Sequence, residues 1–147
     1  MSNERDQWLK SVRLSYALLR IALGLNICLH GFVRWTVGLR SFAESLLPMF
    51  QKTPLPGWSV YTVGYVLPIV ETLVGASVHF GGQTRRALIS GSVLMLVLTF
   101  GSTLRQDWPT VGIQLTYSLV YSFLLAGIRF DSYGIDQVLR SLTQGET

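Results

Sequence analysis

Four long apolar stretches, separated by shorter polar segments, dominate the pattern of this chain. They run approximately from Val12 to Arg34, Trp58 to Phe80, Arg86 to Leu104 and Thr110 to Arg129. Each stretch is close to the ~20 residues that an α-helix needs to cross a hydrocarbon layer about 30 Å thick. The pattern therefore predicts an all-α integral membrane protein with four spanning helices.

The connections between these stretches predict how the helices are arranged. Residues 81–85 and 105–109 form short links, which place consecutive helices side by side and antiparallel in a four-helix up-down bundle. The first connection is longer, and its apolar residues recur at the spacing of one helix face: Leu39, Phe42, Leu46 and Phe50. This spacing predicts a short amphipathic helix at the membrane interface, which ends before the breaker residues 53–57.

The composition agrees with a membrane protein. Of the 147 residues, 49% are hydrophobic and only 14% are charged, whereas a soluble domain carries about a quarter charged residues. The net charge of +4 comes from scattered basic residues without a basic stripe, which argues against nucleic-acid binding. We expect a single domain over residues 1–147 with tails at 1–11 and 130–147, and no cleaved signal peptide.

The distribution of basic residues predicts the orientation of the bundle. One side carries Arg5, Lys10, Arg13, Arg85, Arg86, Arg129 and Arg140, and the other carries Arg34, Arg40, Lys52 and Arg105. By the positive-inside rule, the more basic side, which includes both termini, faces the cytoplasm. Trp35, Trp58 and Trp108 fall on the opposite side, where tryptophan is enriched at membrane interfaces.

Two charged residues lie deep inside the apolar stretches, Arg20 in the first and Glu71 in the second. A charge near mid-bilayer is costly, so it usually faces a partner or a polar cavity. Counting a rise of about 1.5 Å per residue from the helix ends places the two side chains at similar depth. We expect a buried ion pair that either fixes the helix register or takes part in proton or ligand chemistry.

A second polar group is predicted nearer the outer ends of the helices. His30 and Arg34 share one face of the first helix, and Gln114, Tyr117 and Tyr121 share one face of the fourth. If these faces converge, His30 and Arg34 would be catalytic and the other three would bind the carbonyl head of a quinone or a small oxyanion. Plainer explanations are an interhelical hydrogen bond for His30, snorkelling for Arg34 and packing for the tyrosines.

The sequence does not favour a metal or haem site. Cys28 is the single cysteine, and no Cys/His spacing typical of zinc, iron–sulfur or c-type haem sites occurs. His30 and His79 lie near opposite ends of antiparallel helices, so about 20 Å should separate them, too far for one haem. We therefore predict no metal and no intrinsic cofactor.

Several motifs resemble those of DoxX-like membrane proteins. They are Arg20-Ile-Ala-Leu-Gly24 followed by His30-Gly31, Pro68-Ile-Val-Glu71 with Gly75, Gly81-Gly82-Gln83-Thr84-Arg85, Phe100-Gly-Ser-Thr-Leu-Arg-Gln-Asp-Trp108 and Tyr133-Gly-Ile-Asp136. They extend over nearly the whole chain and are similar to the branch related to DoxD, the small subunit of thiosulfate:quinone oxidoreductase. The resemblance implies a four-helix protein of the prokaryotic cytoplasmic membrane, connected with quinone-linked oxidation of sulfur compounds.

Two functions from different classes follow from these expectations. The chain is either the small subunit of a quinone-linked oxidoreductase, or a non-catalytic accessory or assembly subunit of a larger membrane complex. In the first case a partner subunit supplies the redox centre, and in both cases we expect contact with the lipid bilayer and with a partner protein or a second copy of the chain. Solute transport is less favoured, because the sequence shows no inverted repeat or broken helix.

Overall fold

The structure, a computed structural model, describes residues 2–144. Met1, residues 145–147 and the side chains of Ser2, Arg140 and Gln144 lie outside the described part, so the predicted contribution of Arg140 to the basic side does too. The described chain is helical and has no strand; its elements are α1 (Ser2–Val37), α2 (Leu39–Phe50), α3 (Gly57–Phe80), α4 (Thr84–Leu104), α5 (Trp108–Ala126), a 3-10 helix (Ile128–Phe130) and α6 (Ile135–Gln144). The predicted all-α class is confirmed for these residues.

Four of the helices, α1, α3, α4 and α5, are long and apolar enough to cross a membrane. They correspond to the four predicted stretches, although α1 begins well before Val12 and α5 ends before Arg129. Large apolar side chains remain exposed along them, such as Leu96 on α4 and Phe123 on α5. Because soluble monomers rarely expose large contiguous apolar patches, these helices indicate a membrane protein in contact with lipid.

α1 and α3 form the most extensive helix contact and run antiparallel. Glycines allow their backbones to approach closely: a Cβ atom at Gly75 would overlap the backbone of Cys28, and one at Gly24 would overlap the backbone of His79. Such small residues favour tight helix packing in membranes. The same contacts fix the register, with Gly24 level with the last turn of α3.

The rest of the bundle follows the order of the chain. α3 contacts α4, and α4 packs along α5, where the fully buried ring of Tyr121 lies against Gly91. Leu88 and Leu124 are buried in the same core. α5 makes only limited contact with α1, so an open groove remains between these two helices.

The predicted amphipathic helix is present as α2, and its apolar face is turned toward the bundle. Gly38, with a φ of 102° that favours glycine, redirects the chain between α1 and α2. Ala43 is fully buried against Gly64 of α3, and Phe50 lies beside Gly101 of α4. α2 therefore covers one end of the bundle, which we call the top.

The opposite end, which we call the base, is formed by the α3–α4 turn and residues 131–136. The turn begins at Gly81, whose φ of 70° is left-handed. Asp136 accepts hydrogen bonds from the backbone N–H groups of Gln83 (2.8 Å) and Thr84 (2.9 Å). A carboxylate that follows the last long helix thus caps the N-terminus of α4 and holds the start of α6 against the base.

Candidate functional site

Arg20 and Glu71 are both buried, with 1% and 4% of their surfaces exposed, but they do not pair with each other. Arg20 forms an ion pair with Asp131, and Glu71 forms one with Arg34. The predicted Arg20–Glu71 pair is therefore wrong, although each residue does have a partner of opposite charge.

The error concerns the relative depth of α1 and α3. The prediction counted both helices from ends assumed to lie in one plane, whereas α1 already begins at Ser2 and extends beyond the base end of α3. Since Gly24 lies beside His79, Arg20 is level with the end of α3, while Glu71 is near its middle. The rise between Glu71 and His79 is about 12 Å at 1.5 Å per residue, too far for a direct pair.

Arg20 joins several segments at the base of the bundle. Its Nη1 donates hydrogen bonds to the carbonyl oxygens of Val78 (2.6 Å) and His79 (3.0 Å), and its Nη2 donates to the carbonyl oxygen of Tyr133. Its Nε lies 3.5 Å from Oδ1 of Asp131. Carbonyls in the last turn of a helix lack helical partners and carry partial negative charge, so a guanidinium stabilises them. These contacts give Arg20 a structural role.

The second buried pair, Arg34 with Glu71, lies near the middle of α3. Nη1 of Arg34 donates to Oε2 of Glu71, and its guanidinium carbon lies 4.7 Å from the ring centroid of Phe42 in α2. The Arg34 side chain is 27% exposed and the Glu71 side chain only 5%. Arg34 therefore points toward Glu71 and α2, and it holds a carboxylate inside an apolar core. Buried ionisable groups of this kind concentrate at functional sites.

His30 lies one turn before Arg34 on α1, and its side chain is exposed on the surface of the bundle. It is close enough to Glu71 to interact electrostatically with that carboxylate. An imidazole can gain or lose a proton near neutral pH. His30 thus combines access from outside the bundle with proximity to a buried carboxylate.

Tyr121 places a buried hydroxyl near the same carboxylate. Its side chain is fully buried, and its hydroxyl has no hydrogen-bond partner within residues 2–144. The phenol interacts electrostatically with Glu71. A buried hydroxyl without a partner costs about 1–3 kcal/mol, and such groups in native proteins call for an explanation. We refer to Glu71, Arg34, His30 and Tyr121 as the Glu71 cluster.

Gln114 and Tyr117 have other partners. Nε2 of Gln114 donates to Oγ of Ser102 in α4 (3.0 Å), while its buried Oε1 has no partner in the described part of the chain. The Tyr117 hydroxyl donates to Oδ1 of Asn26 in α1 (3.0 Å), and both residues line the α1–α5 groove, which has a volume of about 420 Å³. The predicted ligand-binding residues are therefore divided among the Glu71 cluster, the α4–α5 contact and the α1–α5 groove.

The sequence-based predictions gave no role to three polar residues of the base and the groove, Asn26, Asp131 and Asp136, although Asp136 belongs to one of the motifs quoted above. The position of Asn26 could have been predicted, because it lies four residues before His30 and so shares a helix face with it. Asp131 and Asp136 follow the last apolar stretch, where acidic residues are ordinarily solvated. Their roles depend on long-range contacts with Arg20 and the start of α4, which no local pattern reveals.

Among the described residues, no group of three or more His, Cys, Asp or Glu side chains could hold a metal ion. Nδ1 of His79 lies 3.1 Å from the carbonyl oxygen of Ile21. His30 is nine residues further along α1, an axial rise of about 13 Å, which is shorter than the sequence-based value. The two histidines thus lie at different depths, and His79 belongs to the base.

No family model, curated protein or solved structure matches this chain. Its family and its function are therefore proposals that depend on the sequence motifs and on the geometry of the Glu71 cluster.

Proposed function

We propose that the chain is a DoxX-like integral membrane protein of the prokaryotic cytoplasmic membrane, from the branch related to DoxD. In this proposal α1, α3, α4 and α5 form a four-helix up-down bundle across the bilayer, and α2 lies at the outer interface. The length and apolar character of these helices support the location. The arginines near the base support a cytoplasmic position for the base and for both termini, since they follow the positive-inside rule.

The proposed function is that of the small subunit of a quinone-linked oxidoreductase of the thiosulfate:quinone type. Reduction of a quinone to a quinol consumes two electrons and two protons. In the proposal a partner subunit oxidises the substrate and supplies the electrons. This chain binds the quinone head group and delivers the protons, and quinone is the only cofactor that it takes.

The observation that carries the proposal is the exposure of His30 beside the buried Arg34–Glu71 pair. A quinone that diffuses in the lipid can reach an exposed imidazole from the side, without entering the bundle. His30 would then donate a proton to a quinone carbonyl oxygen, and Arg34 would stabilise the negative charge that develops there. Glu71 lies within electrostatic range of His30.

The remaining candidate residues would position the head group. Tyr117 and Asn26 line a groove that opens between α1 and α5, one turn of α1 from His30. A ring in this groove would lie against apolar side chains and near two polar groups, as small-molecule sites commonly require. Tyr121 and Gln114 each retain a buried oxygen without a partner in the described chain, but neither lines this groove, so in the proposal they belong to the polar core behind the ligand.

The test compares His30→Ala with His79→Ala in the full chain, purified with its native partners in a mild detergent. We expect quinone reduction to fall by roughly 100-fold in His30→Ala, the size of a lost general acid. His79→Ala removes a histidine of the same helix pair at the base and should keep most of the activity. Elution as a single symmetric peak in size-exclusion chromatography controls for folding. Full activity in His30→Ala would remove His30 from the mechanism.

Photolabelling tests the position of the quinone independently of turnover. An azido-ubiquinone analogue, irradiated with the purified chain and mapped by mass spectrometry, should label peptides around residues 26–34 and 113–121. Excess unlabelled ubiquinone should suppress this labelling. Labelling spread evenly along all four long helices, and unaffected by ubiquinone, would contradict a site at the Glu71 cluster.

A second candidate function is that of a non-catalytic accessory or assembly subunit. It is favoured by α5, because a smaller share of its most apolar segment is buried within the chain than in α1, α3 or α4. Such a face can pack against a partner subunit or against a second copy of the chain, as well as against lipid. Mild-detergent purification followed by mass spectrometry separates the two functions, because a stable redox partner without retained quinone indicates the accessory role.

A further inference from the structure

An open pocket of about 600 Å³ lies at the base of the bundle, away from the Glu71 cluster. It is bounded by the start of α4, the segment after α5 and the start of α6. Arginines come from two of these segments: Arg85 and Arg86 from the first turn of α4, and Arg129 from the 3-10 helix. All three side chains are exposed, so they can reach a ligand from solvent or from a membrane surface.

The two acidic residues that line this pocket are already engaged by other groups. Asp131 forms the buried ion pair with Arg20. Asp136 accepts hydrogen bonds from the backbone N–H groups of Gln83 and Thr84 and from the Thr84 hydroxyl. Their negative charge is therefore directed toward Arg20 at the base and toward the start of α4. The pocket keeps an excess of positive charge from its arginines.

The arginines also keep donors for a ligand. Nη1 of Arg86 donates to Oε1 of Gln83 (3.0 Å), and the Arg129 guanidinium carbon lies 4.7 Å from the ring centroid of Phe130. These contacts use one N–H group and one face, whereas a guanidinium has five N–H donors. Guanidinium groups bind phosphate through paired hydrogen bonds. The charge and the donors of the pocket thus fit a phosphate group.

α6 places an apolar surface next to this pocket. Ile135, Val138, Leu139 and Leu142 recur at the spacing of one helix face, and all four are exposed. Leu139 also lines the pocket, so the apolar face and the arginines are continuous. A helix with one apolar face beside basic residues is typical of a helix that lies in the plane of a membrane interface.

We propose that the pocket binds the phosphate head group of an anionic phospholipid, whose acyl chains lie along the apolar face of α6. The base lies where α4 begins and α5 ends, which is the level of lipid phosphates if these helices cross the bilayer. Basic pockets at the ends of spanning helices bind anionic head groups in this way. The inference rests on the membrane location of the four helices and does not depend on quinone chemistry.

The main experiment measures lipid binding to the purified full chain in neutral detergent micelles. Dioleoyl phosphatidylglycerol is titrated and bound lipid is counted by native mass spectrometry, with dioleoyl phosphatidylcholine as the neutral lipid. The test variant is Arg85→Gln/Arg86→Gln/Arg129→Gln. The matched control is Arg5→Gln/Lys10→Gln/Arg13→Gln, which removes the same charge from exposed positions on α1. Size-exclusion profiles confirm that both variants fold.

We expect the pocket variant to lose on the order of 100-fold in affinity for phosphatidylglycerol, from about a fivefold effect for each of the three arginines near a membrane surface. The α1 control should lose less than about threefold, because its positions do not line the pocket. Equal losses in the two variants would overturn the proposal, since they would show a diffuse effect of net charge. Equal affinity of the wild type for the two lipids would overturn it as well.

A second arm distinguishes a lipid head group from free phosphate. Val138→Ser/Leu142→Ser changes only exposed side chains of α6 and leaves the arginines in place. It should weaken phosphatidylglycerol binding by about tenfold, since the acyl chains lose apolar contact. Inorganic phosphate at millimolar concentration should not displace the lipid. Complete displacement by inorganic phosphate, or unchanged lipid affinity in the α6 variant, would overturn the assignment to a phospholipid.

Discussion

Arg20 and Arg34 are carried by the same helix, and each meets a carboxylate, but their surroundings differ in kind. Arg20 is fully buried and donates mainly to backbone carbonyl oxygens at the end of α3 and in the segment after α5. Arg34 is partly exposed and meets Glu71, beside an exposed imidazole and a buried phenol. The first arginine is held mainly by main-chain carbonyl oxygens together with one carboxylate, that of Asp131, whereas the second pairs with a carboxylate that has an imidazole and a phenol nearby.

This difference shows how a buried charge in an apolar helix can be interpreted. A guanidinium whose donors go to main-chain carbonyls stabilises the fold, because neither partner can change its charge. A guanidinium that pairs with a carboxylate near an exposed imidazole, as Arg34 does, belongs instead to a set of polar side chains that a ligand could approach. The prediction that paired Arg20 with Glu71 joined one member of each set.

The largest expected effect is on stability, at Arg20. Arg20→Met leaves Asp131 buried without its cation and removes the donors to three carbonyl oxygens. We expect a loss of about 3–5 kcal/mol in the free energy of unfolding, typical of breaking one side of a buried pair. Thermal unfolding in detergent, followed by size-exclusion chromatography, measures it. Arg13→Met, an exposed position on the same helix, is the control and should change stability by less than about 0.5 kcal/mol.

A double variant separates loss of the pair from loss of the carbonyl contacts. Asp131→Asn in the Arg20→Met background removes the uncompensated carboxylate, so it should restore part of the lost stability. The carbonyl oxygens of Val78 and His79, left without the guanidinium donors, would account for the stability that is not restored. If Arg20→Met and the wild type unfolded within about 1 kcal/mol of each other, the structural role of Arg20 would be contradicted.

The next effect concerns the helix contact that lies between the two arginines. Gly75→Ala adds a methyl group that overlaps the backbone of Cys28, so α1 and α3 must separate. We expect a destabilisation of about 1–3 kcal/mol, the usual cost of overpacking. Gly112→Ala on α5 meets nothing within 4 Å and serves as the control. Equal unfolding temperatures for the two variants would show that the close approach of α1 and α3 is not required.

A smaller change is expected at Glu71, and it should affect activity more than folding. Glu71→Gln keeps the shape and a hydrogen bond to Arg34 but removes the charge. If the Glu71 cluster moves protons, quinone reduction by the purified complex should fall by about tenfold or more, and Glu71→Asp should restore part of it. A Glu71→Gln variant that is unstable but fully active when folded would assign Glu71 to the scaffold, like Arg20.

The smallest effect is expected at the top, outside the long helices. Hydrogen bonds from Thr110, with the nearby Arg105 guanidinium, hold the pKa of Asp107 below its ordinary value. A lowered pKa in the folded state means that the ionised carboxylate stabilises the fold at neutral pH, and that this contribution is lost as the pH falls through the folded pKa.

Asp107→Asn should therefore unfold at a lower temperature than the wild type at pH 7, and the difference should shrink as the pH is lowered below about 4. Glu44→Gln removes an exposed carboxylate that pairs with Arg40 on α2, and it serves as the control. A difference between Asp107→Asn and the wild type that stays constant from neutral to acidic pH would contradict this role.

The helices themselves could be predicted from the sequence, because apolar stretches of spanning length leave few alternatives. α2 could be predicted as well, from the spacing of Leu39, Phe42, Leu46 and Phe50. The direction in which this apolar face points could not be predicted, because an apolar face can pack against lipid or against α3. The packing of Ala43 against Gly64, a contact between distant segments, determines the orientation of α2.

The partners of the buried charges could not be predicted for a related reason. Pairing depends on the axial offset between helices, and a shift of a few residues moves a side chain by a full turn. The offset of α1 and α3 is fixed by Gly24 and Gly75, whose close contacts are not visible in hydropathy. Asp131 became a partner only because the chain after α5 folds back to the base.

The contact between Arg20 and Tyr133 has a consequence for the biosynthesis of the chain. The two residues are 113 positions apart, so at about 5–20 residues per second the last partner of Arg20 is synthesised roughly 6–23 s after Arg20 itself. During that interval an arginine within the first apolar helix has neither Asp131 nor the carbonyl of Tyr133. Completion of the bundle is thus tied to completion of the chain, and a product truncated after α5 would keep an arginine without its counter-ion.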